Sequence, residues 1–328
     1  MKRKKAFPAL VFSALLFLSG CAGPDLMAGS SLLSRHIDDR IAEVKLSYDR
    51  IAPMSESVCL LPSEDAFSES AVAAEYAGLF AEDDCETLYG KNPTKKLYPA
   101  SVTKLMTALL VLENITDMDR EVVVTEEAFA DLSADASLAD LRVGYSYSIS
   151  DLLYGLLLPS GNEAANVLAK AVSGSVEAFV ARMNRRAMEL GMVNTSFRNP
   201  HGLHNAQHYT TVYDLYLLFR EVASHEEFTT VTQTKSIEIT GRRGEETVTS
   251  RITTTNAFVR EFVLPPEGIS IQGGKTGYTV QAGRCLALIC TDRAGKRYFS
   301  IIGKAKTYEG VYEDMNALLA IAAEHGNE

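Results

Sequence analysis

From about residue 66 onward, two kinds of hydrophobic spacing occur in different parts of the chain. Apolar positions three and four residues apart dominate the middle and predict amphipathic helices, whereas alternating apolar and polar positions late in the chain predict strands. The helical segments are DLLYGLLL, NEAANVLAKAV, VEAFVARMNRRAMELG, TVYDLYLLFREVA and, at the end, VYEDMNALLAIAAE. The strand segments are VAAEYAGLF, KSIEITG, ETVTSRIT, ISIQGGKTG, CLALICTD and RYFSIIGKA.

This order of elements predicts an α/β chain of the α+β type. Helices in the middle and consecutive strands late favour an antiparallel β-sheet flanked by helices, with a helical subdomain packed against it. No linker-like change of composition interrupts residues 66–328, so we expect a single domain there. A composition of 46% hydrophobic and 23% charged residues is enough for one large core.

Residues 1–20 have the pattern of a secretory signal peptide. A basic start, MKRKK, precedes an apolar stretch that is too short to span a bilayer. An uncleaved N-terminal anchor is the alternative. The stretch ends in LSGC, which resembles a bacterial lipobox, and this resemblance implies that Cys21 becomes the lipidated N-terminus. We therefore expect an exported lipoprotein of the cell envelope, attached to the membrane through its N-terminal lipid and facing the extracytoplasmic side.

Residues 21–65 are interpreted as a tether. Apolar positions at 4-3-4-3 spacing within it predict a short amphipathic helix, which either packs on the main domain or forms a stalk or dimer seam. These positions are Ile37, Ile41, Val44, Tyr48 and Ile51.

The four other cysteines do not fit a zinc site, because no C-x-x-C spacing occurs. Cys59 and Cys85 form either a disulfide or two thiols. Cys285 and Cys290 lie on one predicted strand at odd spacing, so they point to opposite faces and do not pair.

The charge of the chain argues against a nucleic-acid partner. The formal net charge is −10, and removal of the four basic residues of the signal peptide leaves 28 basic and 42 acidic residues, net −14. Proteins that bind nucleic acid need a basic face to neutralise phosphates.

Ser101 and Lys104 stand three residues apart at a predicted helix start, in YPASVTKLMT. Positions i and i+3 share one helix face, and a helix N-terminus stabilises an oxyanion. Lys104 can take the proton of Ser101 when burial or a second cation lowers its pKa. The alternative, a capping serine and a solvated lysine, is favoured when this motif is considered alone.

Two further motifs are weak when each is taken alone. Ser160, Gly161 and Asn162 lie between two helical segments, where they are either a turn or a second hydroxyl and a carboxamide facing Ser101. Residues 275–277, a Lys-Thr-Gly run, end the strand ISIQGGKTG. They do not fit a phosphate loop, because position 269 is isoleucine instead of glycine and a strand follows instead of a helix.

Other chemistries are disfavoured. His201, His204 and His208 have a spacing that suits a metal only on a helix, but they lie in a loop rich in Asn, Pro and Gly, and no H-E-x-x-H occurs. No G-x-S-x-G motif of an α/β-hydrolase is present. We expect neither a metal nor another cofactor.

The order S-x-x-K, S-x-N, K-T-G is specific for penicillin-binding proteins and class A β-lactamases. With the surrounding blocks LYPASVTKLMTALLVLE, DLLYGLLLPSGNEAANVLA, LGMVNTSFRNPHGL and GGKTGYTVQAGRCL, residues 66–328 resemble the D-alanyl-D-alanine carboxypeptidases, the low-molecular-weight penicillin-binding proteins of peptidase family S11. The resemblance implies the β-lactamase/DD-peptidase fold and a hydrolase that removes the terminal D-alanine from peptidoglycan stem pentapeptides. β-Lactams would bind covalently.

The resemblance also implies roles for the catalytic residues. Ser101 would be the acylated nucleophile and Lys104 its general base, although the base in S-x-x-K enzymes is disputed. Ser160 would pass a proton toward the leaving amine, and Asn162 would line the cleft. Lys275 would hold Lys104 neutral and attract the substrate carboxylate.

The K-T-G strand would bind the substrate. Thr276 would hydrogen-bond the terminal carboxylate, and the peptide would lie beside residues 275–277, including Gly277, as an added strand. The backbone N–H groups of Ser101 and Tyr278 would form the oxyanion hole.

Two alternatives on the same fold are a β-lactamase and a non-catalytic penicillin-binding or wall-binding lipoprotein. The first is disfavoured because no E-x-x-L-N stretch follows Asn162, and the second because the motif residues are intact.

The chain also departs from the family pattern. We expect no second β-rich C-terminal domain, and Thr254-Thr255-Asn256 stands where some relatives place an arginine. Lys304 and Lys306 are the substitutes that the sequence suggests for that charge.

Overall fold

The computed structural model describes residues 58–61 and 71–326 of the chain. The signal peptide, Cys21 and the predicted amphipathic helix lie outside the described residues. The strands are β1 (Tyr76–Ala81), β2 (Glu86–Lys91), β3 (Glu121–Val123), β4 (Ser146–Ser148), β5 (Ser236–Arg243), β6 (Glu246–Thr253), β7 (Ser270–Thr279), β8 (Gly283–Thr291) and β9 (Arg297–Ala305). The helices are α1 (Lys104–Asn114), α2 (Ile149–Leu157), α3 (Asn162–Ser173), α4 (Val176–Glu189), α5 (Val212–Val222), α6 (Glu226–Gln233) and α7 (Tyr308–His325).

The strands form two antiparallel sheets. The larger has the order β2-β1-β9-β8-β7, and the smaller has the order β3-β4-β5-β6. Strand β7, which carries the K-T-G motif, is therefore an edge strand of the larger sheet. An edge strand presents unpaired backbone groups, which an extended peptide can use as an added strand.

The larger sheet is covered on both faces. Alternation along β8 places Cys285, Ala287 and Ile289 in the core shared with the central helices, while the intervening residues pack under α7. The expectation that Cys285 and Cys290 point to opposite faces is confirmed, since they belong to these two different cores. The apolar positions of α7 recur at helical spacing, as its single buried face requires; they include Val311, Met315, Leu318 and Ala322.

The α+β architecture predicted from the sequence is confirmed, but four elements were not predicted. Strand β2, ETLYGK, has only a short alternation of apolar and polar positions before it ends in glycine and lysine. Strands β3 and β4 have three residues each, too few to reveal a period-two pattern. Helix α6, EEFTTVTQ, is rich in β-branched residues, whose helix propensity is low, so its pattern indicates neither state.

Residues 58–61, which the sequence analysis assigned to the tether, pack against the main domain. Val58 and Cys59 are buried in the main core, and the backbone N–H of Cys59 donates to the Tyr216 hydroxyl at 3.0 Å. The Tyr213 hydroxyl in turn donates to the Cys59 carbonyl at 2.9 Å. Four residues cannot show a periodicity, so only these tertiary contacts reveal that this stretch belongs to the domain.

The Cys59–Cys85 pairing that the sequence left open is not formed, since both residues are present as thiols. The Cys59 thiol donates to the Ala81 carbonyl at 3.2 Å and accepts from the Tyr216 hydroxyl at 3.1 Å. Burial raises the pKa of Cys59 to about 11, so this sulfur is protonated at neutral pH.

Candidate active site

The site begins at a tight turn in front of α1. Residues Ala100–Thr103 form one 3₁₀ turn that runs directly into the helix, and Ser101 is the half-buried residue of this otherwise buried turn. Ala100 has φ +47°, in the left-handed region, a strained conformation for a non-glycine residue next to the predicted nucleophile.

Strand β7 lies directly against this turn. A Cβ on Gly277 would stand 3.0 Å from the Pro99 carbonyl oxygen and 3.1 Å from the Ser101 nitrogen. Glycine is therefore needed here for close approach, which brings the K-T-G strand within reach of Ser101. The Lys-Thr-Gly and Ser-x-x-Lys motifs therefore lie side by side.

Lys104 is fully buried, and its amine makes three polar contacts. The Nζ atom is 2.6 Å from Asn162 Oδ1, 2.7 Å from the His201 carbonyl oxygen and 3.1 Å from Ser101 Oγ. The first two partners only accept hydrogen bonds, so they take both N–H groups of a neutral amine. The lone pair of that amine is then left for the Ser101 hydroxyl proton.

Burial is the main cause that lowers the pKa of Lys104 well below its ordinary value, and the nearby Lys275 ammonium lowers it further. Glu163 acts in the opposite direction. Lys275 is itself buried, which lowers its pKa to about 7, and its Nζ donates to the Thr276 carbonyl oxygen at 3.0 Å. Burial and the Lys275 charge therefore both favour the neutral form of the Lys104 amine.

Glu163 is a residue that the sequence analysis missed. It follows Asn162 in the first turn of α3 and is fully buried, and its Oε1 accepts from the Ala139 N–H at 2.5 Å. Burial raises its pKa, while the backbone donors around it act to lower it. A buried glutamate at this position has no separate sequence signature, because glutamate is common in the first turn of exposed helices.

The second motif lies in the turn between α2 and α3. Ser160 has φ +68°, a left-handed conformation, and its hydroxyl is buried without a hydrogen-bond partner among the described residues. Asn162 is the first residue of α3, which directs its amide oxygen to Lys104. An unpartnered hydroxyl in the cleft is suited to exchange a proton with a bound molecule.

The loop that holds the histidines contributes a backbone carbonyl to the site. His201 Nε2 lies 3.0 Å from Asp131 Oδ2, and its Nδ1 accepts from the Leu203 N–H at 3.2 Å, so Nε2 is the protonated nitrogen. His208 contacts the Thr103 hydroxyl at 2.9 Å, and His204 packs edge-on against Tyr98. In residues 58–61 and 71–326, no cluster of three metal-binding side chains occurs.

These elements surround a cleft of about 910 Å³ whose lining includes Ser101, Ser160, Asn162, Thr276 and Gly277. At its far side, Thr276 Oγ1 is 2.5 Å from Thr255 Oγ1. The cations that line the cleft are Arg260 and Arg284, neither of which the sequence analysis proposed. Lys304 instead forms an ion pair with Glu75 at 2.6 Å, and Lys306 is exposed elsewhere.

Among the solved structures with this fold are a DD-transpeptidase and a penicillin-binding protein. The Streptomyces K15 DD-transpeptidase superimposes with a TM-score of 0.72 at 28% identity, covering 78% of this chain and 98% of that chain. Penicillin-binding protein D2 of Listeria monocytogenes, in its ampicillin-bound form, superimposes with a TM-score of 0.63 at 27% identity, covering 76% and 97%. The fold and the site thus define the DD-peptidase class.

Within that class, the family model described as peptidase S11, D-alanyl-D-alanine carboxypeptidase, matches residues 63–307. The chain belongs to this family. The D-alanyl-D-alanine carboxypeptidase DacF of Bacillus subtilis is 35% identical over 223 residues, which cover 67% of this chain and 54% of that protein. The chain therefore spans about half the length of this curated relative.

The loop that contains His201 packs closely against the 3₁₀ turn Ala100–Thr103, and this contact depends on Gly202. It has φ +88°, and a Cβ there would stand 1.9 Å from the Ala100 carbonyl oxygen. Gly174, with φ +79°, has nothing within 4 Å of its Cβ position and is a matched control for backbone strain alone. We expect Gly174→Ala to lower the free energy of unfolding by about 1 kcal/mol and Gly202→Ala by about 2 kcal/mol more. Urea unfolding of both variants measures this difference, and equal losses would contradict the packing described for Gly202.

Proposed function

We propose that the protein is a serine-type D-alanyl-D-alanine carboxypeptidase that releases the terminal D-alanine from peptidoglycan stem pentapeptides. The observation that carries this proposal is the fully buried Lys104 amine, whose two acceptor partners leave its lone pair for the Ser101 hydroxyl. Membership of the S11 family and the likeness to DD-peptidase structures support it.

The reaction proceeds through an acyl-enzyme. Neutral Lys104 takes the proton of Ser101 as Oγ attacks the carbonyl carbon of the penultimate D-alanine. The N–H groups of Ser101 and Tyr278 stabilise the oxyanion of the tetrahedral intermediate. Lys104 returns the proton through Ser160 to the leaving nitrogen, the C–N bond breaks, and D-alanine departs.

Hydrolysis completes the cycle. Water gives a proton to Lys104 and attacks the ester carbonyl, and the Ser101 oxygen leaves with the proton that Lys104 returns. A β-lactam enters the same cleft, and attack of Ser101 opens its ring. The opened ring stays tethered to the acyl group, so the leaving amine does not depart and the adduct persists.

The strands and charges of the cleft position the peptide. The edge of β7 provides backbone groups for an extended substrate, and the Thr276 hydroxyl faces the subsite of the terminal carboxylate. Lys275 maintains the positive field that keeps Lys104 neutral.

The location of the protein follows from the sequence. The envelope is where family members find their cell-wall substrate, and Cys21 carries a lipid that tethers the enzyme to the extracytoplasmic face of a membrane. None of the helices in the described part of the chain combines the length and the hydropathy that crossing a bilayer requires.

Covalent labelling tests the nucleophile. We expect a fluorescent penicillin to label the protein and D-alanine to be released from a diacyl-L-Lys-D-Ala-D-Ala peptide, and Ser101→Ala to abolish both. The exposed Ser224, remote from the cleft residues, provides the control Ser224→Ala, which should behave as the wild type. Full labelling of Ser101→Ala would refute the proposal. Labelling without D-alanine release would indicate a binder, and rapid turnover of a chromogenic cephalosporin would indicate a β-lactamase.

The pH dependence tests Lys104 as the base. Lys275→Met removes a positive neighbour, so the pKa of Lys104 rises and the acidic limb of the acylation rate moves to higher pH. Glu163→Gln keeps the acceptor for the Ala139 N–H but removes a negative charge, so the pKa falls and the limb moves to lower pH. Stopped-flow acylation by a β-lactam across pH measures both limbs. Limbs that do not move in opposite directions would contradict this assignment.

Fractionation tests the lipid anchor. We expect the protein to sediment with membranes, and Cys21→Ala to abolish incorporation of radiolabelled fatty acid, because the thiol that accepts the lipid is lost. A matched Cys285→Ala variant should still be labelled, since Cys285 is buried in the core of the domain. Equal incorporation into wild type and Cys21→Ala would exclude this anchor.

A further inference from the structure

The proposed substrate carries a full negative charge one residue beyond the bond that is cleaved. The hydroxyl pair of Thr255 and Thr276 at that side of the cleft is neutral. Lys275 is fully buried beneath the strand and binds a backbone carbonyl. Recognition of a carboxylate in a solvated cleft therefore calls for a further cation that reaches the cleft itself.

Strand register places Arg284 at this point. In the β7–β8 pair, Arg284 lies opposite Tyr278, and Leu286 lies opposite Thr276. Directly paired residues share a face of the sheet, so Arg284 emerges on the same face as Thr276, as its diagonal neighbour. Diagonal neighbours are roughly 7–8 Å apart at the backbone, a separation that an arginine side chain spans.

The guanidinium of Arg284 is held by two aromatic rings. It lies 4.0 Å from the centroid of the Tyr278 ring and 5.7 Å from that of the Tyr308 ring, at the start of α7. Stacking on ring faces leaves the N–H groups in the guanidinium plane available for a bidentate contact with a carboxylate. In the described part of this acidic chain, no carboxylate forms an ion pair with Arg284.

Arg260, the other cation that lines the cleft, is less well placed. It comes from a loop, and its guanidinium stacks 4.3 Å from the ring of Phe262, a side chain that is 68% exposed. Arg284 instead stands on β8, a central strand of the larger sheet, in direct register with the K-T-G strand.

We propose that Arg284 is the residue that binds the C-terminal carboxylate of the substrate, together with the Thr276 hydroxyl, and thereby makes the enzyme specific for peptides with a free C-terminus. This inference rests on the proposed carboxypeptidase function. Arg284 does not touch the reacting atoms, so it determines specificity and leaves the acylation chemistry to Ser101 and Lys104.

The test compares an acid with its neutral counterpart in the full-length protein. Hydrolysis of diacyl-L-Lys-D-Ala-D-Ala and of its C-terminal amide is measured for wild type, Arg284→Gln and the charge-matched control Arg260→Gln. We expect Arg284→Gln to lower kcat/KM for the acid about 10- to 100-fold, the range for loss of a charge-assisted hydrogen bond, and to change that for the amide less than about threefold. Arg260→Gln should keep the acid-to-amide ratio of the wild type.

Acylation provides a second measurement that does not depend on turnover of the amide. The rates of adduct formation with benzylpenicillin and with its methyl ester, followed by mass spectrometry, should show the same loss of preference for the carboxylate in Arg284→Gln. The proposal would be overturned if Arg284→Gln kept the wild-type preference for the free carboxylate over the neutral compound, or if Arg260→Gln lost that preference instead. A wild type that forms no adduct and releases no D-alanine would refute the proposed function itself, whereas an active wild type with an unaffected Arg284→Gln ratio would refute only this inference.

Discussion

The burial of one amine, that of Lys104, is the constraint on which the rest of the site depends. An ammonium ion cannot be desolvated in a protein core without a large loss of free energy, so the group becomes neutral instead. The Asn162 Oδ1 atom and the His201 carbonyl oxygen fix the orientation of the neutral amine because each of these atoms can only accept. The same burial that favours the neutral form of Lys104 therefore also directs its lone pair to Ser101.

Three separate parts of the chain must converge to produce that environment. Helix α1 carries the lysine, the N-terminus of α3 supplies the carboxamide, and the loop before α5 supplies the carbonyl. These parts can approach one another because Gly277 and Gly202 lack a Cβ, which at either position would meet the turn in front of α1. The left-handed conformations of Ala100 and Ser160 show that two of these parts are held under strain by their surroundings.

The sequence was sufficient for the architecture and for the residues with strong motif spacing, because periodicity and spacing are local properties. It was insufficient where a role depends on tertiary contact. The burial of Glu163 could not be predicted, because acidic residues are common in the first turn of a helix. The packing of Cys59 in the core could not be predicted from the few residues around it. The contact of the His201 carbonyl with Lys104 involves the backbone, which leaves no trace in the residue type. The position of Arg284 beside the K-T-G strand could have been predicted in principle, because the short turn of a β7–β8 hairpin fixes its register. That step requires the pairing of β7 with β8 to be assigned first.

Lys275 and Arg284 cannot exchange the tasks that we propose for them. Lys275 lowers the pKa of Lys104 because it is buried beside it, and that same burial lowers its own pKa to about 7. A group so close to losing its charge is a poor sole partner for a carboxylate. Arg284 lines the solvated cleft, but it emerges from β8 on the face of the sheet opposite to that of Lys275, and it does not contribute to the shift in the pKa of Lys104. Under the proposed function, lowering the pKa of Lys104 and recognising the terminal carboxylate therefore fall to two different residues on opposite faces of the sheet.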